Sequence, residues 1–220
     1  MAKVSAYELI SDMPREEFTR DQLMRALVNR GYSRPDDRIA SLVREGSIIR
    51  LAKGWYASGA TFRRRPLHLR WLSNIMYVSC LSLSYALSYW GLIPEHVEAF
   101  TAITPLRGAT FDTGAGRFIY SQVPDAAFGP GRVIADAKDI TGLEERFFIA
   151  GPDKALADLV WSDKRVKIPV DWSSYLFEDI RLERRSIEKM DPAAMLGYAR
   201  IYGSRKLASL ASWLSEKGGA

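Results

Sequence analysis

The chain has 220 residues, with 31 Lys+Arg against 26 Asp+Glu, two histidines and one cysteine. The single thiol, Cys80, excludes an internal disulfide and fits a reducing cytoplasm. A hydrophobic content of 47% lets the chain bury a real core, and its length suits two domains. The charge is unevenly spread. Residues 1–70 carry 14 basic and 8 acidic side chains, and the remaining residues 17 and 18. The positive excess therefore lies in the first third, where neutralising phosphates would supply affinity and a salt dependence.

The opening residues, Met1 to Ala6, lack the apolar run of a signal peptide. From Phe18 to Ala57 the pattern predicts a winged helix-turn-helix. Thr19 caps a first helix, Gln22 closes a capping box, and Phe18 and Leu23 are spaced as a hydrophobic staple. That helix keeps Leu23, Ala26 and Leu27 on one face and stops at Arg30-Gly31. A second helix follows with Ser33 as cap, Pro35 in its first turn, Asp36 closing the box and Gly46 ending it. Residues Ser47 to Leu51 and Trp55 to Ala57 then flank a Lys53-Gly54 turn, the signature of a short hairpin.

At 100° per residue, Ile39, Leu42 and Val43 fall on the inward side of the second helix. Arg34, Asp37, Ser41 and Arg44 fall opposite, with Arg38 at the flank. Arginine donates bidentately to guanine, and both Arg and Ser reach phosphate oxygens, so this face suits a major groove. The expected DNA-binding set is Ser33, Arg34, Arg38, Ser41 and Arg44, with Arg50 and Lys53 reaching the adjacent backbone from the hairpin. An ordinary solvated face, with Asp37 neutralising Arg34 or Arg38, is the competing reading of the isolated helix. Arg63-Arg64-Arg65 past the hairpin reads either as a phosphate-tracking linker or as a solvated tether.

Trp71 to Pro94 is uncharged, which raises the question of a membrane span. Its five serines, Asn74, Gly91 and closing proline point instead to a buried core segment and to no membrane partner. The expected elements are a strand at 76–79, a helix from Ser82 to Tyr89, and strands at 99–104, 116–123, 132–137 and 146–150. A helix follows from Gly151 through Trp161, with Leu156, Leu159 and Val160 inward. Beyond Pro169 the chain reads as helical: roughly 173–189, then Asp191-Pro192 capping a helix to Gly203, then Ser204 to Lys217. The expectation is an α+β protein. A winged helix-turn-helix at 1–60 and a basic linker at 61–70 precede a mixed α+β domain at 71–220, helical from about 172.

Several of these stretches together carry a resemblance. They are the Phe18–Ala57 module, Ser82 to Leu92, Phe100 to Pro105, Phe111-Asp-Thr, Gly116 to Tyr120 and Ile149 to Leu159. In order and spacing, from about residue 5 to 162, the chain resembles the AbiEi-type antitoxins of type IV toxin–antitoxin systems. The resemblance implies a bacterial autorepressor that binds repeats in its own promoter, with two or more copies on the DNA. It also implies antagonism of a nucleotidyltransferase-like toxin through the C-terminal domain. It supplies no catalytic motif, and the tail from Lys164 lies outside it.

Three look-alikes need weighing. Asp112-Thr113-Gly114 matches the aspartic-protease triplet, yet that chemistry needs two carboxylates sharing a proton, and the stretch reads as a hairpin turn from Phe111 to Phe118. Asp125, Asp136 and Lys138 match a loose metal-nuclease pattern in which the acids would hold Mg²⁺. His68 and His96 lack partners at ligand spacing, so no metal or other cofactor is expected. The reading is a DNA-binding antitoxin rather than an enzyme. The alternatives are a stand-alone regulator sensing a ligand through residues 71–220, and a Mg-dependent nuclease.

Overall fold

Local capping chemistry sets the first helices of the fold, seen in a computed structural model that describes residues 5–138 and 144–217. Ser5 and Glu8 form a reciprocal capping box at the start of α1 (Ala6–Ser11). After β1 (Glu17–Thr19), α2 (Arg20–Asn29) starts on the expected box. The Gln22 amide N–H donates to Thr19 Oγ1 at 3.2 Å, and Thr19 N–H to Gln22 Oε1 at 2.8 Å. Phe18 and Leu23, the staple pair, are both fully buried. Next come α3 (Pro35–Arg44) and a hairpin of β2 (Ile48–Ala52) and β3 (Trp55–Ser58). The three strands form an antiparallel sheet in the order β1-β3-β2.

Two glycines are required here. Gly54 turns the hairpin at φ +81°, a conformation that L side chains resist. Gly59 runs so close to the end of α3 that a Cβ would lie 1.9 Å from the Gly46 carbonyl oxygen. That approach lets Gly59 N–H donate to Ser47 O at 2.8 Å, fastening the exit of the hairpin to the end of the helix.

The remaining strands build a six-stranded mixed sheet in the order β6-β7-β5-β4-β9-β8. They are β4 (Cys80–Leu81), β5 (Phe100–Thr104), β6 (Ala109–Thr113), β7 (Gly116–Gln122), β8 (Arg132–Lys138) and β9 (Glu144–Ala150). The Phe111-to-Phe118 hairpin forms as expected, with those two residues directly opposed. Helices α4 (Leu69–Met76), α5 (Leu83–Tyr89), α6 (Asp125–Phe128) and α7 (Pro152–Ser162) are interspersed. The helical tail comprises α8 (Trp172–Ser174), α9 (Arg184–Ile187), α10 (Pro192–Tyr202) and α11 (Arg205–Lys217). α10 and α11 pack on each other and on α7. The class is mixed α+β, and among the described residues no helix is long and apolar enough to cross a membrane.

Some expected elements are corrected. Residues 76–79 are not a strand: α4 occupies Leu69–Met76, and only Cys80 and Leu81 pair into the sheet. The helix expected over 173–189 is broken. A π turn over Tyr175–Asp179 follows α8, and Arg181 takes a left-handed φ of +58° before α9 resumes. Leu159 is only partly buried, whereas Leu156 and Val160 are fully inside. The arginines at 63–65 are only partly a free tether. Arg63 Nη2 donates to Ser58 O, and the Arg64 backbone N–H donates to the buried Glu16 carboxylate.

Buried side chains fall into two clusters. The smaller gathers Leu9, Phe18, Leu23, Leu27, Leu42 and Ile48. The larger gathers the sheet, α5, α7 and the tail, and it also takes Leu51 and Ala57 from the hairpin. At its centre lies a dry polar group. Lys154 and Asp158 pair one turn apart on α7 with almost no solvent exposure. Asp158 also accepts from Ser82 Oγ at 2.6 Å and from the Tyr202 hydroxyl, and Lys154 Nζ donates to Tyr202 Oη at 2.8 Å. Burial pushes the Asp158 carboxyl up and the Lys154 ammonium down, and each opposes that push in the other.

Two expectations follow. Asp158→Ala, which strands the Lys154 charge, should lower unfolding free energy by about 3–5 kcal/mol in urea titration. The double replacement Lys154→Met with Asp158→Leu should recover most of that loss. The second expectation concerns Asp163, which accepts from the Arg165 guanidinium at 2.7 and 3.0 Å and from the Tyr175 hydroxyl at 3.2 Å. The Arg165 hydrogen bonds hold its carboxyl down at about 2, from an ordinary 3.8. A depressed carboxylate stabilises the fold above its ordinary value and loses that contribution as pH falls toward its folded value. Asp163→Asn should therefore flatten the acid loss of stability between pH 3.8 and about 2.

Candidate nucleic-acid interface

The helix expected to enter a groove begins one residue later than its sequence suggests. Its N-cap is Arg34, not Ser33, and no side chain caps it. Proline lacks an N–H and presets φ, so it takes the first helical position and forces the cap onto the residue before it. Ser33 is left outside the helix and exposed. Asp36, expected to close a box, instead pairs with Arg20 at the start of α2. That ion pair joins the first turns of the two helices.

The buried stripe of α3 is carried by Ile39 and Leu42, with Val43 37% exposed. Val43 was expected inward. The stripe is centred nearer Leu42 and the half-buried Pro35 and Arg38, which turns Val43 toward its edge. The outward face then carries Asp37, Ala40 and Arg44, with Ser41 half-buried beside them. Ala40 was not singled out by sequence. Its small side chain on that face leaves the helix backbone free to approach a partner closely.

The basic residues differ in their commitments. Arg38 Nη1 donates to both Glu45 carboxylate oxygens, at 3.2 and 3.3 Å, and lies 3.4 Å from Ser41 Oγ. Ser41 Oγ itself donates to Glu45. The Ser41 hydroxyl first, then Arg38 and Arg44, hold the Glu45 carboxyl below its usual range. Arg38 and Ser41 thus close the C-terminal turn of α3 around Glu45. Arg34 meets Asp37 only at 4.0 Å, with both side chains largely in solvent, where such a pair is worth little. Arg44, Arg50 and Lys53 are exposed and form no hydrogen bond or ion pair within 4 Å among the described residues.

The hairpin carrying Arg50 and Lys53 is braced from behind. Trp55 meets Trp71 of α4 edge to face, with centroids 6.5 Å apart. The Ile49 side chain lies against Gly114 in the β6–β7 turn. Arg50 pairs across the hairpin with Tyr56, next to a register shift between Arg50 and Ala52.

The residues of the catalytic look-alikes have the following placements. Asp112 sits opposite Arg117 on the β6–β7 hairpin and pairs with it at 3.3 Å. Asp125 is exposed in the first turn of α6, and Asp136 on β8 pairs with Arg146 at 2.9 Å. The Lys138 side chain lies outside the described residues. Among the described residues no three His, Cys, Asp or Glu side chains group as a metal site. His96 is exposed, while His68 is buried with Nδ1 3.6 Å from the Glu17 carboxylate. Cys80 is fully buried on β4, and desolvation pushes its thiol up to about 12.

No protein-family model matches the chain, and no curated protein does.

The Cys80 environment makes one outcome checkable. A thiol that far from ionisation, with no path to solvent, reacts only when the sheet opens. Iodoacetamide at neutral pH should label the native protein at least about 100-fold more slowly than the urea-unfolded chain.

Proposed function

We propose that the chain is a DNA-binding autorepressor and antitoxin. In this reading residues 1–60 form a winged helix-turn-helix, α3 enters the major groove and the β2–β3 hairpin lies along the adjacent backbone. The observation that carries the reading is the uncommitted cationic set Arg44, Arg50 and Lys53, spread over the second of two tightly joined helices and the hairpin behind it. Arg44 reads a base edge or a phosphate, and Arg50 and Lys53 take phosphates. Ala40 and Val43 lie on or beside the same face, where apolar side chains meet thymine methyl groups. Arg34 joins this set by releasing Asp37, whereas Arg38 and Ser41 shape the end of the helix through Glu45.

The resemblance to AbiEi-type antitoxins supports assigning residues 71–220 to antagonism of a nucleotidyltransferase-like toxin. It also supports two or more copies bound along promoter repeats. The brace between the hairpin and the six-stranded sheet suits such an arrangement, because it fixes the reading head relative to the rest of the chain.

A gel-shift series with DNA from upstream of the chain's own gene tests the DNA reading, against scrambled competitor. The wild-type protein should give stepwise, salt-sensitive shifts. Arg44→Ala with Lys53→Ala should weaken binding at least about tenfold and reduce the slope of log affinity against log salt by about 1.8, at roughly 0.9 per phosphate contact. Both side chains are exposed, so the thermal midpoint should hold. An unchanged affinity and slope would place the DNA face elsewhere.

A further inference from the structure

A cleft of about 780 Å³ opens where the two hydrophobic clusters meet. One wall is the loop from α1 to β1, with Arg15 and Glu16. The other comes from Arg64 and Arg65, Trp71 of α4 and Arg146 of β9. Its size falls within the range of small-ligand and cofactor sites. Its charge is biased, since four arginines line it against Glu16 and Glu145. Glu145 is already engaged by the Trp71 backbone N–H at 2.9 Å and by Arg70 at 3.2 Å.

Two features point to the chemistry of an occupant. The first is the set of guanidinium groups. Among the described residues Arg65 is exposed and forms no ion pair, and Arg146 pairs with the exposed Asp136. Guanidinium forks match phosphate oxygens bidentately. The second is Glu16, which is 5% exposed. One of its oxygens accepts from the Arg64 backbone N–H at 3.2 Å, with the Arg64 guanidinium at 3.7 Å. The other, Oε2, is buried and has no hydrogen-bond partner among the described residues. A buried carboxylate oxygen left unsatisfied is costly, and a ligand N–H relieves that cost. Between these features the Arg15 guanidinium lies 4.5 Å from the centre of the Trp71 ring, and both groups stack on planar rings.

We propose that this cleft binds a nucleotide. The phosphates lie on Arg64, Arg65 and Arg146, the base stacks against the Arg15–Trp71 pair, and a base N–H donates to Glu16 Oε2. A free phosphate satisfies only the arginines and a nucleoside only Glu16 and the stack, so the whole site selects the molecule carrying both. The walls come from both clusters, so the occupant bridges them. This site is separate from Arg44, Arg50 and Lys53 and does not depend on DNA binding.

Isothermal titration of the full chain with ATP, GTP, CTP and UTP tests the proposal, with tripolyphosphate and the four nucleosides as controls. At least one nucleotide should bind about tenfold or more tightly than tripolyphosphate and than its own nucleoside. Arg65→Ala with Arg146→Ala, both at the surface, should weaken that nucleotide at least about tenfold. Glu16→Gln should weaken the nucleotide by a similar factor without weakening tripolyphosphate, since it removes a carboxylate that competes for Arg64. Should Glu16→Gln not fold, the surface pair still decides the phosphate contacts, and the nucleotide-to-tripolyphosphate ratio decides the base contacts. Tripolyphosphate binding as tightly as every nucleotide would overturn the proposal. So would nucleotide affinity indifferent to the arginine pair, or a pair that weakens promoter DNA alone.

Discussion

Asp158 is held out of water by three elements far apart in sequence, and its carboxylate tolerates that burial only while all three stay in place. Lys154 supplies the counter-charge from the same helix, Ser82 a hydroxyl from the β4–α5 junction, and Tyr202 a second hydroxyl from the end of α10. A charge without such partners would be expelled or neutralised. The surroundings are shaped to this group. Leu83, directly after Ser82, adopts a left-handed φ of +59°, a conformation that costs about 1–3 kcal/mol for a non-glycine residue. Gly131 leaves room for the Lys154 stem and the Tyr198 hydroxyl, since a Cβ there would lie 2.7 Å from Lys154 Cβ. An apolar core of the same volume would hold α10 against α7 with less directional demand. The polar group fixes the register of the helical tail on the sheet.

A second constraint joins the two clusters. Glu16 precedes β1 and Glu17 opens it, and their carboxylates turn to the segment leaving the hairpin. Glu16 accepts from the Arg64 N–H and Glu17 from the His68 N–H. A buried and a part-buried backbone donor are thereby satisfied, and the chain is pinned on both sides of Leu67. α4 begins immediately afterwards, and Trp71 there meets Trp55 of the hairpin and Arg15 of the α1–β1 loop. The hairpin contributes Leu51 and Ala57 to the larger cluster, while Ile48 and Tyr56 serve the smaller. One short ribbon is thus shared by both cores, which is why its outward residues are presented on a stiff support.

How much of this the sequence discloses depends on whether the deciding partner is local. The Thr19–Gln22 box, the Lys53-Gly54 turn and the Phe111–Phe118 hairpin lie within a few residues of their partners and are legible. α4 is not. It starts at His68 without a side-chain cap, and Tyr77 and Val78 just past its end are residue types that suit strands, so its packing on β9, β4 and β5 decides where helix gives way to sheet. The break near Arg181 is likewise tertiary: Glu183 N–H reaches back to Leu92 O, and Leu182 N–H to Leu176 O. In the sites, nothing near Arg15-Glu16-Glu17 in sequence marks its two acids as buried, because the backbone groups they bind lie about fifty residues onward. The offset of the α3 cap was legible in principle, since a proline at the first helical position names the preceding residue as the cap.

The ion pairs also change what the charge count means. From Arg34 to Glu45, α3 and its flanks carry three arginines and three acids, so the helix brings no net cationic field of its own. What it brings is an arrangement: Asp36 is turned to Arg20, and Glu45 hydrogen-bonds Arg38 and Ser41, which leaves Arg44 only a longer-range attraction to Glu45. Exposed pairs of this kind contribute little to stability, so their main effect is on which cation stays available. A helix stripped of its acids would attract any polyanion. One that spends its acids on neighbouring arginines keeps Arg44 as an exposed donor without a hydrogen bond or ion pair among the described residues, while Arg50 and Lys53 stand exposed on the braced hairpin. In the proposed DNA-binding reading, one such donor at a base edge carries more sequence information than a larger diffuse charge.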